Sequence, residues 1–71
     1  MTLSYNKLWK LLIDKGMKKK DLREVTGISA NTVDRMGKNE VVSLVVLMKI
    51  CGALDCDIGD IVEVIRPKKD E

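Results

Sequence analysis

The segment from Gly16 to Asn39 constrains the fold of this 71-residue chain more than any other feature. Its apolar residues recur at the three- and four-residue spacing of two short helices, and Gly27 lies between them. Glycine adopts the left-handed backbone of a tight turn at little steric cost, and Ser29 can cap the helix that follows. We therefore predict a helix from Lys19 to about Val25, a turn, and a helix from Ala30 to about Met36. The side chains expected to face the core are Leu22, Val25, Val33 and Met36.

Two further segments have the spacing of amphipathic helices on either side of this pair. The first helix is capped by Ser4 and stopped by Gly16, and the fourth begins after Ser43. The β-branched run at 41–46 favours a strand, but the period of about 3.6 that continues to Leu54 favours a helix ending near Asp55. The side chains expected to face the core are Tyr5, Leu8, Trp9, Leu11, Leu12 and Ile13 in the first helix, and Leu44, Leu47, Ile50, Cys51 and Leu54 in the fourth.

A fifth helix is predicted between Asp57, as its cap, and Pro67, which stops it. Its inward side chains would be Ile58, Ile61, Val62 and Ile65. The length of the chain corresponds to one small domain. We therefore expect an all-α domain of five short helices at residues 1–66 and a charged tail at 67–71, with no second domain to bind a small-molecule effector.

Charge is distributed unevenly along the chain, although the net charge is only +2. Residues 18–38 carry six basic and three acidic side chains, whereas residues 39–65 carry one basic and five acidic ones. A bound polyanion is therefore expected against the first half. The run Lys18, Lys19 and Lys20 stands at a helix N-terminus, where positive charge opposes the helix dipole but suits a bound phosphate. The alternative is a solvated lysine run without a partner.

The helix from Ala30 to Met36 has polar side chains on its predicted outer face. Asn31 could pair with adenine, Arg35 with guanine, and Asp34 could accept a hydrogen bond from cytosine, so these side chains can distinguish base edges in a major groove. The alternative is a solvent-facing helix with i,i+4 pairs between Asn31 and Arg35 and between Asp34 and Lys38. The residues leave both interpretations open.

The composition argues against catalysis and metal binding. The chain has no His, and Cys51 and Cys56 are its only cysteines, so we expect reduced structural thiols, no cofactor and no enzymatic activity. Asp57 and Asp60 suit capping of a helix better than chemistry. No apolar run approaches the roughly 20 residues that span a bilayer, and the N-terminus lacks the order of a secretory signal. We therefore expect a cytoplasmic protein.

Apolar and turn residues follow one another in a recognisable order from Tyr5 to about Ile65. They are Leu8, Leu11, Gly16, Met17, Leu22, Gly27-Ile28-Ser29, Thr32-Val33, Arg35-Met36, Ser43-Leu44, Leu47, Ile50-Cys51, Ala53-Leu54, Cys56 and Gly59-Asp60-Ile61. This pattern resembles the phage-repressor and Cro type of helix-turn-helix domain, also called the Xre type. Through the run Met36-Gly37-Lys38-Asn39 the chain is also similar to compact, stand-alone bacterial regulators, VanU-like regulators among them.

The resemblance implies a compact five-helix, lambda-repressor-like domain that binds double-stranded DNA with its third helix in the major groove. In such domains the start of the second helix and the first residues of the third touch DNA. Lys18 stands where the family commonly has a capping Thr or Ser, and Lys19 stands where it commonly has Gln. Ala30 stands where many phage repressors carry a Gln that reads a base. The resemblance points to Lys19, Ala30, Asn31, Thr32 and Arg35 as such contacts. Together with the residues singled out above by charge and position, the candidate DNA contacts are Lys18, Lys19, Lys20, Ser29, Ala30, Asn31, Thr32, Asp34, Arg35 and Lys38.

Two classes of function remain. The leading hypothesis is a sequence-specific DNA-binding transcriptional regulator, and the alternative is an antitoxin or adaptor that keeps this fold but binds a partner protein. The alternative is motivated by surplus apolar side chains on the fourth and fifth helices: Val45, Val46, Met48 and Val64. The same side chains could instead form a homodimer through helices 4 and 5, which would let two copies bind two DNA half-sites.

Overall fold

The computed structural model describes residues 1–67. Its elements are β1 (Thr2–Ser4), α1 (Asn6–Asp14), α2 (Lys19–Thr26), α3 (Ala30–Gly37), α4 (Leu44–Leu54), a 3-10 turn (Ile58–Asp60) and β2 (Glu63–Ile65). Beyond Pro67, the predicted charged tail lies outside the described residues. No helix of the described chain is long and apolar enough to cross a bilayer.

The prediction of a fifth helix was wrong, since residues 1–67 contain four α-helices and a small sheet. The N–H of Asp57 donates to Asp60 Oδ2 at 2.9 Å, but the turn that they begin ends after three residues. Ile61 is then buried, and β2 pairs antiparallel with β1, with Thr2 opposite Ile65. The partner strand lies at the other end of the sequence, so local periodicity could not indicate this pairing. The domain is mostly helical rather than all-α.

One hydrophobic core joins the four helices and the residue that follows the 3-10 turn, Ile61. Its members are Tyr5, Leu8, Leu12, Leu22, Ile28, Val33, Met36, Leu47, Ile50, Leu54 and Ile61. Five residues predicted to face this core are instead exposed: Ile13 at 75%, Val25 at 57% and Leu44 at 58%, and, from the predicted fifth helix, Ile58 at 37% and Ile65 at 43%. Short helices bury one stripe of side chains, and residues beside that stripe remain in water even when they are apolar.

The helix ends follow the local signals in the sequence. Gly16 and Gly27 have φ values of +67° and +74°, as their predicted turn positions require. The hydroxyls of Ser29 and Ser43 accept hydrogen bonds from the N–H groups three residues later, at 3.1 and 3.2 Å. Helix α4 ends at Asp55, which has the same left-handed backbone, with φ of +54°. These predicted helix ends are confirmed. They could be predicted because each depends on residues that are close in sequence.

Helix α1 begins one residue later than predicted. Ser4 Oγ accepts a hydrogen bond from the N–H of Asn6 at 3.2 Å, and Tyr5 occupies the capping position. The buried Tyr5 donates its hydroxyl hydrogen to the carbonyl oxygen of Glu40 at 2.7 Å, and its N–H donates to Asn39 Oδ1 at 3.4 Å. The start of α1 is thereby attached to the loop that follows α3.

Candidate nucleic-acid interface

The turn between α2 and α3 is held by hydrogen bonds and by one buried side chain. The N–H of Gly27 donates to the carbonyl of Arg23 at 2.8 Å. The Thr26 hydroxyl donates to the carbonyl of Leu22 at 2.6 Å and accepts from the N–H of Ile28 at 3.3 Å. Ile28 is only 8% exposed, a burial that the sequence reading did not include. The turn therefore fixes the direction in which α3 leaves α2.

Helix α3 packs through Val33 and Met36, as predicted, and presents polar side chains to solvent. At about 100° per residue, Asn31 lies nearly opposite this buried stripe, and Lys38 follows it two turns later. Among the candidate DNA contacts from Ser29 onward, the exposed ones are Ser29, Ala30, Asn31, Asp34, Arg35 and Lys38, whereas Thr32 is half-buried. Asn31 is the α3 side chain that points most directly away from the domain.

Ser29 and Thr32 bond to each other at the start of α3. Besides the capping bond, their hydroxyl groups lie 2.9 Å apart, and either can donate. These two side chains fix the first turn of the helix. Their hydroxyls reach the outside of the domain beside Ala30, which presents only a methyl group.

The lysine run begins α2 in the way the sequence indicated. Lys18, Lys19 and Lys20 are all exposed, and Lys18 is the capping residue, with an extended backbone and no side-chain cap bond. Its N–H donates to Asp21 Oδ2 at 2.9 Å. Asp21 therefore compensates part of the positive charge at this helix end, as expected for a carboxylate in the first turn.

Lys19 makes a contact that the sequence reading missed. Its Nζ lies 4.6 Å from the centroid of the Trp9 ring, on α1. The same Nζ lies 3.7 Å from the position that a Cβ on Gly37 would occupy, so the ammonium also reaches the last turn of α3. Trp9 is half-buried and packs against the core, as predicted. The spacing of Trp9 and Lys19 in one sequence does not by itself indicate this contact.

A shallow groove of about 240 Å³ separates the first half of α2 from α3. Its lining consists of Lys19, Lys20, Arg23, Ala30, Val33 and Asp34. Three cations and one carboxylate make this groove electropositive. Arg23 was not among the predicted contacts, although its position four residues after Lys19 places both on one face of α2.

Arg35 is directed toward the loop after α3. Its Nε lies 3.3 Å from Glu40 Oε1, with both side chains 49% exposed, and its Nη2 donates to the carbonyl oxygen of Val41 at 3.0 Å. This is the one ion pair among residues 1–67. Arg35 is not among the residues that line the groove between α2 and α3.

Within the described residues, the two cysteines are neither joined in a disulfide nor grouped with carboxylates in a metal-binding cluster. Cys51 and Cys56 carry free thiols and are half-buried. Burial, together with the neighbouring Cys51 thiol, raises the pKa of Cys56 to about 11, so this thiol is protonated and slow to react at neutral pH. Among residues 1–67, no three Cys, Asp or Glu side chains are grouped so that they could hold a metal ion.

The comparisons with known proteins agree with this geometry. A profile of the Cro/C1-type helix-turn-helix DNA-binding domain matches residues 7–67, and the chain belongs to this family. A crystal structure of the transcriptional regulator VanUg (Form II) is similar, with a TM-score of 0.89 and 57% sequence identity over 93% of this chain and 88% of that one. A search of curated proteins finds no match. The resemblance to Xre-type, VanU-like domains is confirmed.

Proposed function

We propose that this protein is a transcriptional regulator that binds double-stranded DNA sequence-specifically, with the N-terminal half of α3 in the major groove. The observation that carries the proposal is the exposed polar face of α3 directly beside the electropositive groove. Membership of a DNA-binding family and the similarity to the regulator VanUg support it. A role on DNA agrees with the expected cytoplasmic location.

The side chains around α2 and α3 have different roles in DNA binding. Phosphates are bound by the run Lys18, Lys19 and Lys20, by Arg23, and by Lys38 near the end of α3. Asn31 and Asp34 contact base edges, and the methyl group of Ala30 can contact a thymine methyl. The hydroxyls of Ser29 and Thr32 hold the first turn of α3 at the DNA surface. Arg35 acts mainly through the loop it holds.

Two copies of the chain would bind adjacent half-sites. A helix-turn-helix dimer places its two recognition helices about 34 Å apart, one turn of DNA. Apolar side chains available for such a contact are Val45 and Met48, both 60% exposed, and Val64, 51% exposed. Val46, also considered for this surface, is half-buried against the core. The contact would therefore use α4 and the segment around β2, because the fifth helix is absent from the described chain.

The same exposed apolar side chains support the second function, an antitoxin or adaptor that binds another protein. Measuring the mass in solution, with and without duplex DNA, separates the two. A dimer that shifts DNA supports the regulator, whereas a monomer that never shifts DNA at low salt supports the adaptor.

Titration of duplex binding against salt tests the phosphate contacts. Replacing Lys20 or Arg23 with Ala should each reduce the slope of log affinity against log salt by about one. The matched control is Lys49→Ala on α4, which should leave the slope unchanged. Slopes that do not respond to the α2 substitutions would refute the assignment of this groove to phosphate.

A further inference from the structure

The contact between Lys19 and Trp9 holds a charged side chain in place without neutralising it. A carboxylate partner would cancel the charge of the ammonium and use its donors. The face of an indole ring attracts a cation through the ring quadrupole. The N–H groups of the ammonium that point away from the ring stay free to bind an acceptor. Among the described residues, Arg35 and Glu40 form the one ion pair, and no carboxylate pairs with Lys19.

We propose that Trp9 is a positioning residue for DNA binding, which holds the Lys19 ammonium at the edge of the groove between α2 and α3, ready for a phosphate. The inference rests on the proposed function, since it concerns how the same surface binds DNA. Trp9 itself does not touch the nucleic acid. It acts through Lys19 alone.

The physical reason is conformational entropy. A lysine side chain has four rotatable bonds, and immobilising it on a phosphate costs affinity unless the side chain is already restrained. Trp9 packs against the core, so its ring is a fixed platform. The ammonium also lies beside the last turn of α3, near Gly37, where the negative end of the helix dipole favours a cation. Three helices therefore define where this charge lies.

The neighbouring lysines lack this restraint. Lys18 and Lys20 are exposed, and the Lys19–Trp9 pair is the one cation–π contact within residues 1–67. Lys20 lines the same groove and carries the same charge, so it provides a matched control. If Trp9 raises DNA affinity through its contact with the ammonium, its effect should depend on Lys19 and not on Lys20.

A double-mutant cycle on duplex binding tests the proposal. The variants are Trp9→Leu, Lys19→Met, Lys20→Met, and Trp9→Leu combined with each lysine change. Trp9→Leu should weaken binding by about two- to fivefold, without changing the salt slope, because no phosphate contact is lost. Lys19→Met should lower the slope by about one. Adding Trp9→Leu to Lys19→Met should cause no further loss of affinity. Adding it to Lys20→Met should give a loss of affinity equal to the product of the two single losses.

Each other outcome overturns the proposal. If the Trp9→Leu and Lys19→Met losses multiply, or if Trp9→Leu leaves the affinity unchanged, Trp9 does not act through Lys19. Thermal melting checks that Trp9→Leu folds, and Trp9→Phe, which keeps a weaker aromatic face, replaces it in the cycle if it does not. If the unaltered protein fails to bind duplex DNA, the proposed function itself fails. That result is distinct from a cycle that shows no coupling.

Discussion

The hydroxyl of Tyr5 donates a hydrogen bond of 2.7 Å to the main-chain carbonyl of Glu40. Tyr5 is fully buried where α1 begins, and Glu40 lies in the loop that joins α3 to α4. Burial raises the pKa of Tyr5, which extends the pH range over which the hydroxyl keeps its hydrogen for this bond. The bond links the first helix to the loop that supports α3, the element proposed to enter the DNA.

Replacing Tyr5 with Phe should test the value of this link. The ring would remain in the core, and the lost hydrogen bond should lower the free energy of unfolding by about 0.5–1.5 kcal/mol. Urea denaturation of the two proteins measures the change. DNA affinity should also fall, because the loop after α3 is less constrained. Equal stability of Tyr5→Phe and the unaltered protein would show that the bond contributes nothing.

Replacing Arg35 tests whether its side chain contacts bases or holds the loop after α3. In the free protein its guanidinium binds Glu40 and the carbonyl of Val41. We expect Arg35→Ala to weaken binding by a similar factor for all duplexes and to lower stability by less than about 1 kcal/mol, since the pair is half exposed. Glu40→Gln, which removes the ion pair and keeps Arg35, is the control. Binding to duplexes with single base changes is the measurement, and an altered base preference in Arg35→Ala alone would contradict this role.

Asp55 ends α4 with a left-handed backbone, a conformation that costs a side-chain-bearing residue about 1 kcal/mol. Asp55→Gly should therefore raise the midpoint of thermal unfolding. Asn39 has the same conformation, with φ of +59°, but its side chain also accepts a hydrogen bond from Tyr5. Asn39→Gly should gain less for that reason. A loss of stability in Asp55→Gly would mean that its side chain has an interaction that outweighs the backbone cost.

Cys56 should be slow to react in the folded protein. Its pKa is raised to about 11 from 9.0, which lowers the thiolate fraction about a hundredfold at neutral pH. The folded protein holds the thiol proton more tightly than the unfolded chain does. Stability is therefore unaffected by this group below pH 9 and falls as the pH rises from 9 toward 11. Iodoacetamide labelling followed by peptide mass spectrometry, with and without urea, measures the rate. Equal rates in both conditions would contradict the burial of this thiol.

The sequence predicted what depends on near neighbours. The turn at Gly27, the cap at Ser29 and the four α-helices follow from spacing and local bonding. The strand pairing of Thr2 with Ile65 joins the two ends of the chain, and no local pattern contains it.

The candidate site shows the same limit. The lysine run and the polar face of α3 are visible in the sequence, because charge and periodicity are local properties. The contact of Lys19 with Trp9 and the turning of Arg35 toward Glu40 depend on how helices and loops pack. Arg23 could have been included from its helical spacing relative to Lys19.

Selection of bound duplexes from a random pool tests whether α3 reads base sequence. The unaltered protein should enrich one motif. Asn31→Ala should lose the base preference at one position of that motif, where each wrong base costs the unaltered protein about 1–3 kcal/mol. The salt dependence of binding should stay the same. Two copies of the motif about one helical turn apart would support the dimer. Recovery of random sequence by the unaltered protein, or of an identical motif by Asn31→Ala, would contradict this role of α3.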